Sequence, residues 1–578
     1  MSALRTLLVE DSRLAITDDA TFVVKSAPAQ STFQPYAATS ISSSNVTFSV
    51  QVPSENIVID REVYIRSAIT LRFTAAVPDA DCALVAVQAF SYGLTEAFQA
   101  YPLNALFLTT QATINNSSVS ENTQDIMGAL LALYDKRDLN RFNSMTPAMI
   151  DSTYGLFSDA VGANANVLGA ADSQAVDKSM TGRGTFPVQF LQVEHTYRVG
   201  GVLQPVNDSF VAPAASTDNT WVFFLKTIST EPFLFMSPFL NLTPDHERAG
   251  LLGINNMALV LNIDTSCKRV FSTALSKIVL GALLPKYITS TTLQTIAGQP
   301  GLENTELLLN YLSMSPEQMA KLSSPKNVVP YITYPRYLSN STSQVPVVAG
   351  ASTTLVSTSI QLSMIPDKIL ICARVPMSQQ TIAHSNSFLA VSAISVTFNN
   401  ASGLLASATQ QDLFSKVSYV NGSDQSWPEF SGSVQNSALS GKGAVVAGIG
   451  SVLVLDPVAQ FSLPSYLSAS SLGQFQLQFQ LSVRNQFSYS IAPEILIIAV
   501  NSGIFSTVAG SSQVFTGMLT RASVLAAQAS DVKMSSGDLS RLVGGAMGTV
   551  LKRRFGNAVG MGMSGGASAK PALSRIMS

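Results

Sequence analysis

The segments ATINNSSVSENTQDIMGALL (residues 112–131) and VTFNNASGLLASATQQDLFSKV (residues 396–417) share one order of elements. Each has a β-branched strand, an Asn-Asn turn, a second short segment, and then a threonine followed by glutamine, aspartate and an apolar residue. Asparagine tolerates the left-handed backbone of a tight turn, and threonine at the N-cap with a nearby aspartate is typical of a helix start. Because Asn115 and Asn399 are 284 residues apart, close to half of the 578-residue chain, the pattern predicts one β-rich domain duplicated in tandem.

Short apolar or alternating runs fill most of the chain around these two segments. Clusters of Asn, Gly, Pro and Ser separate the runs, which is typical of β-sandwiches and β-barrels. The clearest runs are VTFSVQV (46–52), VYIRSAITLRFTA (63–75), LFLTTQATI (106–114), WVFFLKTI (221–228), MALVLNI (257–263), SIQLSMI (359–365), KILICARV (368–375), AISVTF (393–398), FQLQFQLSV (475–483) and EILIIAV (494–500). We therefore predict an all-β fold with two tandem β-sandwich domains and a few short helices.

The same pattern divides the chain into four parts. We predict an N-terminal arm at 1–44, a first sandwich at 45–270, a second sandwich at 275–510 and a tail at 511–578. The first sandwich carries a long loop insertion near 140–220 that is rich in Gly, Ala, Asp and Ser. Loops of this size in sandwich domains usually have a function.

Charged residues make up only 12% of the chain, about half of the usual share. Interface cores are depleted in charge in this way, so the composition favours a protein that covers much of its surface with other chains. A secreted or adhesive β-protein can also be rich in Ser and Thr, and the composition alone leaves that alternative open. The N-terminus carries acidic residues at once, which argues against a signal peptide and predicts a protein made inside the cell.

The tail differs in charge from the rest of the chain. Residues 531–578 hold seven basic and two acidic residues, a net charge of +5, so the other 530 residues carry −7. Between 538 and 555, apolar residues recur at spacings of three to five, which predicts a C-terminal amphipathic helix. The side chains that we predict to contact the interior of an assembly, through a partner protein, a membrane or nucleic acid, are Arg541, Lys552, Arg553, Arg554 and Phe555.

No motif in the sequence carries a catalytic or cofactor-binding pattern. Cys82, Cys267 and Cys372 lie far apart without a CxxC pair, so we predict buried thiols and no metal. The GxSxG match at 562–566 follows no predicted strand and precedes no histidine, and the glycines at 448–450 lack the third glycine of a dinucleotide fingerprint. We therefore predict no catalytic residue, no metal, no cofactor and no enzyme activity. The histidines, which form no metal-binding pattern, are His195, His246 and His384.

Longer stretches of the chain resemble a known family. In the second half these are IPDKILICARV (365–375), FLAVSAISVTFNNASGLLASATQQDLFSKVSYVNGSDQSWPEFSG (388–432), GSVLVLDPVAQFSLPSYLSASSLGQFQLQFQLSVRNQ (450–486) and PEILIIAVNSGIF (493–505). In the first half they are FQPYAATSISSSNVTFSVQVPSENIVIDREVYIRSAITLRFTA (33–75) and YPLNALFLTTQATINNSSVS (101–120). The chain resembles the double jelly-roll major capsid proteins of polinton-like viruses and virophages, and more distantly adenovirus hexon.

This resemblance implies a fold, an assembly and a role. Each sandwich is expected to be a jelly roll, and three subunits with two rolls each are expected to form a pseudo-hexagonal homotrimer. Such trimers tile the icosahedral shell of a double-stranded DNA virus. The expected partners are neighbouring capsomers, penton proteins and minor capsid proteins. A β-sandwich adhesin, a lectin-like protein or a minor virion protein is the alternative that the sequence leaves open.

Overall fold

The fold is that of a computed structural model. The residues that the structure describes are 30–54, 57–85, 96–99, 101–131, 188–239, 250–273, 287–296, 298–313, 326–339, 346–380, 382, 388–436, 444–464, 467–487, 489–508 and 510–517. The part of the predicted insertion from 140 to 187 and every tail residue from 518 onward lie outside them. The predicted C-terminal helix and its contact residues, Arg541, Lys552, Arg553, Arg554 and Phe555, therefore lie outside the described residues as well.

The first half of the described chain contains fifteen strands. They are β1 (Gln30–Ala37), β2 (Ser40–Ile41), β3 (Asn45–Gln51), β4 (Ile57–Ile59), β5 (Tyr64–Val77), β6 (Glu96–Phe98), β7 (Phe107–Ile114), β8 (Ser117–Glu121), β9 (Gln189–Val199), β10 (Val202–Leu203), β11 (Ser216–Pro232), β12 (Asn256–Ile263), β13 (Phe271–Thr273), β14 (Ile288–Leu293) and β15 (Leu302–Ser313). The helices among them are α1 (Asp79–Val85), α2 (Pro102–Leu106) and α3 (Thr123–Leu131).

The second half of the described chain contains thirteen strands. They are β16 (Lys326–Thr333), β17 (Arg336–Ser339), β18 (Ser352–Val356), β19 (Ile360–Met364), β20 (Lys368–Arg374), β21 (Ala390–Phe398), β22 (Ala401–Leu404), β23 (Ser433–Asn436), β24 (Ala444–Ala447), β25 (Leu453–Leu455), β26 (Leu472–Arg484), β27 (Glu494–Val508) and β28 (Ser511–Thr516). The helices are a 3₁₀ turn (Met377–Gln379), α4 (Gln410–Asp412, continued by the π-helical turn Leu413–Ser418), α5 (Trp427–Ser431) and α6 (Pro457–Gln460). Every predicted strand run named above lies within or overlaps one of these strands, so the prediction of a mainly β fold is confirmed.

The strands of each half form two facing sheets with one topology. In the first roll, sheet 1A contains the order β1-β15-β5-β11 and sheet 1B the order β3-β12-β7-β8. In the second roll, sheet 2A contains β16-β27-β20-β25, with β17 also paired to β27, and sheet 2B contains β19-β26-β21-β22. Each strand in the orders given for sheets 1A and 1B has a counterpart at the same place in sheets 2A and 2B. The predicted tandem duplication is therefore confirmed.

The two Asn-Asn turns occupy equivalent positions in these sheets. Asn115 lies between β7 and β8, Asn399 lies between β21 and β22, and both have a left-handed backbone, with φ of 51° and 50°. In each turn the asparagine Oδ1 accepts a hydrogen bond from a backbone amide of the neighbouring chain segment: from Asn255 N, just before β12, at 2.9 Å, and from Gln476 N, within β26, at 2.8 Å. The same residue type therefore stabilises the same turn in both rolls.

The helices that follow the two turns are equivalent, but they begin differently. Thr409 is the N-cap of α4 as predicted, and it forms a capping box with Asp412. Thr123 is not an N-cap: it is the first residue of α3, and the amides of Asp125 and Ile126 bond to the carbonyl of Asn122 instead. The Thr123 hydroxyl is buried and lies 3.1 Å from the hydroxyl of Thr110, so this threonine packs inward against β7.

Strand pairing places several segments differently from the predicted domain limits. Strand β1 pairs with β15, so residues 30–37 are part of sheet 1A and not of an N-terminal arm. Strands β14 and β15 pair with β5, which assigns 288–313 to the first roll although we predicted a second domain from 275. Strand β28 pairs with β27, so the tail begins after 516. These limits were missed because the partners in each pair are distant in sequence.

The predicted insertion near 140–220 is in part a pair of strands. Strand β9 pairs with β10 and with the long strand β11, so residues 189–203 and 216–220 extend sheet 1A, whereas residues 204–215 connect β10 to β11 outside any strand. His195 on β9 is fully buried, and its ring stacks on Trp221 with centroids 4.2 Å apart. Within the described part of the chain, no helix is long and apolar enough to cross a membrane.

Candidate functional site: the junction between the two rolls

Strand β20 and the first half of β27, in the middle of sheet 2A, are buried on both faces. All seven residues of β20 are buried, and so are the first eight residues of β27. Ile369 and Ile371 point into the core of the second roll, whereas Leu370 and Cys372 point the other way, toward the first roll. The first roll therefore covers the outer face of this sheet, and the contact between the two forms the junction that fixes one roll against the other.

The centre of the junction is an apolar cluster. From the first roll it contains Tyr101, Ala105, Ile126, Met127, Ala129, Leu130, Leu131, Leu234 and Phe235, and from the second Ile332, Leu370, Cys372, Phe388, Ile449, Val452, Leu496, Ile498 and Val500. Full burial of one large apolar side chain contributes about 1.5–3 kcal/mol. An interface with this many buried side chains resembles a domain core more than a transient contact.

A buried network of four charges lies beside the apolar cluster. Arg374 on β20 donates to Glu494 Oε1 at 2.8 Å and also to Asp125 on α3 of the first roll. Arg336 Nε lies 2.6 Å from the other oxygen of Asp125, although its N–H does not point at that oxygen. Two cations and two anions thus balance, and the side chains of Arg374, Asp125 and Glu494 are all at most 5% exposed.

The pKa values of this network reflect its burial and its pairing. Burial by itself would lower the pKa of Arg374, but the charges of Asp125 and Glu494 raise it above its ordinary value. Burial raises the pKa of Glu494, although the charge of Arg374 opposes that rise. Removal of one partner from such a network leaves an uncompensated charge in the interior, which is strongly destabilising.

Two further buried charges hold the helices that the first roll brings to the junction. Arg269 donates to the carbonyl oxygens of Gln124 at 2.5 Å and Ala105 at 2.8 Å, and burial lowers its pKa to about 10. Glu231 accepts the backbone amides of Leu103 at 2.7 Å and Asn104 at 2.8 Å. These contacts hold α2 and the start of α3 in place within the first roll.

Glu121 at the end of β8 reaches the second roll directly. It accepts a hydrogen bond from the backbone of Tyr334, which lies between β16 and β17. Glu121 is only 8% exposed, and burial raises its pKa to about 8 although the bond from Tyr334 opposes the rise. The junction therefore contains a carboxyl group whose pKa burial raises to about 8.

A second zone of contact joins the Asn-Asn turn of the first roll to the last hairpin of the second. The amide of Ser512 donates to Asn116 Oδ1 at 2.7 Å, and the hydroxyl of Ser117 donates to the carbonyl of Ser512 at 2.6 Å. Asn327 Nδ2 donates to the carbonyl of Gly250 at 2.8 Å on the same side. The chain is thus closed on itself by hydrogen bonds between residues nearly 400 positions apart.

The cysteines and the glycine pattern considered above as possible site residues serve the packing of the fold. Cys82, Cys267 and Cys372 are free and buried, as predicted. Gly450 belongs to the glycine pattern at 448–450 and has a φ of 101°; a Cβ there would lie 1.9 Å from the carbonyl oxygen of Phe388. That glycine permits a close packing of two backbone segments. His246 and His384 lie outside the described residues.

The junction itself was not predicted, although its signal is present in the sequence. KILICAR and EILIIAV are continuous apolar runs, whereas a strand with one solvated face alternates. The absence of alternation indicates that both faces of these strands are covered, but it does not indicate which part of the chain covers them. Asp125, Arg374 and Glu494 gave no signal of their own, because only the folded chain brings α3 to the ends of β20 and β27.

Comparison with known proteins matches both rolls to one family. A family model described as the first domain of the Sputnik virophage major capsid protein matches residues 2–312, more than half of the chain. The chain belongs to the virophage major capsid proteins. A second model, described as the C-terminal domain of the major capsid protein V20, matches residues 334–503 of this capsid protein.

Individual relatives agree with this assignment. A putative capsid protein V20 from Sputnik virophage is 27% identical and aligns with 96% of this chain and 87% of its own length. A chain in the 3.5 Å cryo-EM structure of the Sputnik virophage superposes with a TM-score of 0.73 and 24% identity, over 94% of this chain and 99% of that one. The crystal structure of the mavirus major capsid protein superposes with a TM-score of 0.63 and 11% identity, over 92% and 99%. Both structures share the fold of this capsid protein.

The capsid protein is therefore a structural component of the virion. The predicted double jelly roll and the predicted capsid role are both confirmed, and the capsid role replaces the adhesin and lectin-like alternatives. The junction packs the two rolls of the subunit against each other through the buried apolar cluster and the charge network.

Proposed function

We propose that the capsid protein works as a homotrimer in which six rolls form a pseudo-hexagonal capsomer of an icosahedral shell. The observation that carries this proposal is the repeated topology of the two rolls together with their buried junction. Two like lobes held rigidly side by side supply one third of a six-lobed ring. The low share of charged residues, 12%, supports a large surface covered by other chains.

Native mass spectrometry and analytical ultracentrifugation of the full chain test this proposal. The expected species has three times the subunit mass of 61.2 kDa, without a monomer at micromolar concentration. Each contact between subunits should bury well over ~2,000 Å², as in permanent assemblies. A stable monomer would contradict the proposal, and a six-lobed outline in negative-stain images would support it.

We infer that this role includes no catalytic step, cofactor or metal. The support comes from the sequence, in which the GxSxG and glycine-rich matches fail their structural context, and from the position of Gly450 in close contact with the backbone of Phe388. We also propose domain limits that follow the strand pairings, with the first roll at 30–313 and the second at 326–516. Neighbouring capsomers, penton proteins and minor capsid proteins are the proposed further partners.

We propose that the basic tail contacts the interior of the shell. Its net charge of +5 over 531–578 and the predicted helical stripe at 538–555 support a contact with a minor protein, a membrane or packaged nucleic acid. Deletion of 531–578 should leave a folded trimer but impair shell assembly or genome retention. Replacement of Lys552, Arg553 and Arg554 by Gln tests the charge alone, and a deletion variant that yields filled, stable particles would contradict the proposal.

A further inference from the structure

A fully buried histidine lies in the part of sheet 1A that β9 and β10 add to the first roll. His195 on β9 is 0% exposed, although none of residues 196–215, which follow it, is buried. Burial of an ionisable side chain without a charged partner favours its neutral form. A group that titrates in mild acid is therefore enclosed at the base of a peripheral, mostly exposed segment.

Two aromatic rings stack on the imidazole of His195. Trp221 faces it across the β9–β11 pair, and their ring planes lie 3° apart with centroids separated by 4.2 Å. Tyr197, two residues further along β9, stacks at 4.8 Å. Contact with a tryptophan face favours a cation, yet burial outweighs this contact and lowers the pKa of His195 from its ordinary value of 6.5.

The two ring nitrogens of His195 differ in their hydrogen bonds. Nε2 lies 2.8 Å from Oδ1 of Asn219, a buried residue at a β-bulge of β11. Because that oxygen only accepts, the contact assigns the proton of the neutral ring to Nε2. Nδ1 forms no well-directed hydrogen bond among the described residues, although the side chain of Asn207 lies near enough to oppose the effect of burial on the pKa. A proton added at Nδ1 would therefore create a poorly compensated buried charge.

The same histidine joins three segments of the chain. Its backbone pairs with Trp221 of β11 on one side and with Asn207 on the other, where His195 N donates to Asn207 O at 2.8 Å and Asn207 N donates to His195 O at 3.1 Å. Asn207 lies in the connection between β10 and β11. The Trp221 indole Nε1 also donates to the carbonyl of Ser209 in this connection, at 3.1 Å. His195 and Trp221 thus hold the connection against the roll.

The charged groups on the surrounding elements have other contacts. Arg198 on β9 lies 3.4 Å from Asp218 on β11, and the amide of Asp218 donates to Asp79 on α1 at 3.2 Å. Glu194, beside His195 on β9, accepts a hydrogen bond from a side-chain amide of its own strand. Within the described part of the chain, no ion pair reaches the His195 ring. The remaining titratable groups on these elements are Tyr197, Asp208, Asp81 and Cys82.

We propose that His195 is an acid-sensitive latch: its neutral ring holds the extension formed by β9, β10 and the 204–215 connection on sheet 1A, and protonation of the ring releases that extension. Opening would return the new charge to water, where it costs far less than in the interior. It would also uncover Trp221 and Phe223, since Phe210 of the connection packs edge-on against Phe223 with centroids 6.2 Å apart. An acidified subunit would thereby gain an apolar surface that it lacks at neutral pH.

The direction of the pH effect follows from the protonation of the closed and open forms. The pKa of His195 is lowered in the closed form and returns to its ordinary value of 6.5 in the open form, so the open form binds more protons in acid. The closed form keeps its full stability above pH 6.5 and loses it as the pH falls below that value. Between pH 7.5 and pH 5 the opening constant can rise by about 30-fold at most, the limit for one group of ordinary histidine pKa.

Hydrogen–deuterium exchange of the full chain, read by mass spectrometry, tests the latch. After correction for the pH dependence of intrinsic exchange, peptides that cover 193–211 should exchange roughly tenfold faster at pH 5 than at pH 7.5. Peptides from β15, in the same sheet, should exchange at one corrected rate at both pH values. The measurement compares closed and open forms within one subunit, so it is independent of the proposed trimer.

Two substitutions remove the titrating group in different ways. His195→Phe keeps an aromatic ring against Trp221 but cannot be protonated, and His195→Gln keeps a hydrogen-bond donor for Asn219. In either variant the corrected rates over 193–211 should be equal at pH 5 and pH 7.5. Tyr197→Phe is the matched control, because it keeps both the ring stack and His195, and it should retain the wild-type ratio.

The possible results either support the latch or overturn it. Equal corrected rates in the wild-type chain at the two pH values would overturn it. An equal acid response in the wild type and in a folded His195 variant would also overturn it, since another group would then control the opening. Acceleration of β15 to the same extent would show a loosening of the whole roll instead of a release of the extension. An acid response that both His195 variants abolish and Tyr197→Phe retains would establish the latch.

Discussion

Strands β5 and β20 hold the same place in the two rolls, but their surroundings differ. Strand β20 is buried at every residue because the first roll lies on its outer face. Strand β5 has an exposed Arg66 near one end and an exposed Ala76 near the other. Duplication of a fold thus preserves topology and turns, whereas the outer face of each copy adapts to its own neighbour. In this chain, β20 is buried along its whole length, whereas β5 is exposed at Arg66 and Ala76, near its two ends.

The largest expected effect is the loss of stability when a buried ion pair of the junction is broken, compared with the loss when an exposed ion pair of the first roll is broken. Arg374→Met should destabilise the chain by about 3–5 kcal/mol, because it leaves Asp125 and Glu494 buried without their shared partner. Arg198→Met, which removes an exposed pair with Asp218 on the first roll, should cost less than about 1 kcal/mol. Urea unfolding of both variants at one subunit concentration measures this. Equal losses would mean that the junction does not depend on its charges.

An intermediate effect is expected from the titration of Glu121. Its pKa is raised from 4.5 to about 8 in the folded chain, so its protonated form stabilises the fold fully below pH 4.5, and this contribution is lost as pH rises to about 8. The slope from this group is at most about 1.4 kcal/mol per pH unit.

The variant Glu121→Gln isolates that contribution from other titrating groups, since it keeps an acceptor for the amide of Tyr334. The difference in unfolding midpoint between wild type and variant should change between pH 4.5 and 8 and stay constant above. A difference that is flat throughout this range would place Glu121 in a more solvated site than the junction.

The smallest effect should come from the two Asn-Asn turns. Asn115→Gly and Asn399→Gly both keep the left-handed backbone but remove side-chain hydrogen bonds worth about 0.5–1.5 kcal/mol each. Asn115 makes two such bonds, with Asn255 N and the carbonyl of Gly253, whereas Asn399 makes one, with Gln476 N. The first variant should therefore lose more, by thermal unfolding. A larger loss at Asn399 would contradict the expectation that the side chain with more hydrogen bonds stabilises its turn more.

Local pattern was enough to predict the strands, the duplication and the turns. Alternation along MALVLNI and the left-handed preference of Asn115 and Asn399 are properties of short segments, and the structure agrees with them. Pairing between distant strands was not predictable in this way. Nothing in QSTFQPYA indicates that it pairs with residues 306–313, and nothing in α3 indicates that Asp125 lies against Arg374. The junction depends on such contacts, which is why its residues were missed.

The hydrogen bonds between Ser512 and the turn at 115–116 have a consequence for the order of events during translation. All strands of the first roll have been made once residue 313 leaves the ribosome. The hairpin of β27 and β28, which contains Ser512, is synthesised roughly 200 residues later, about 10–40 s at ordinary rates of synthesis. Throughout that interval the first roll displays the apolar surface that will later cover sheet 2A.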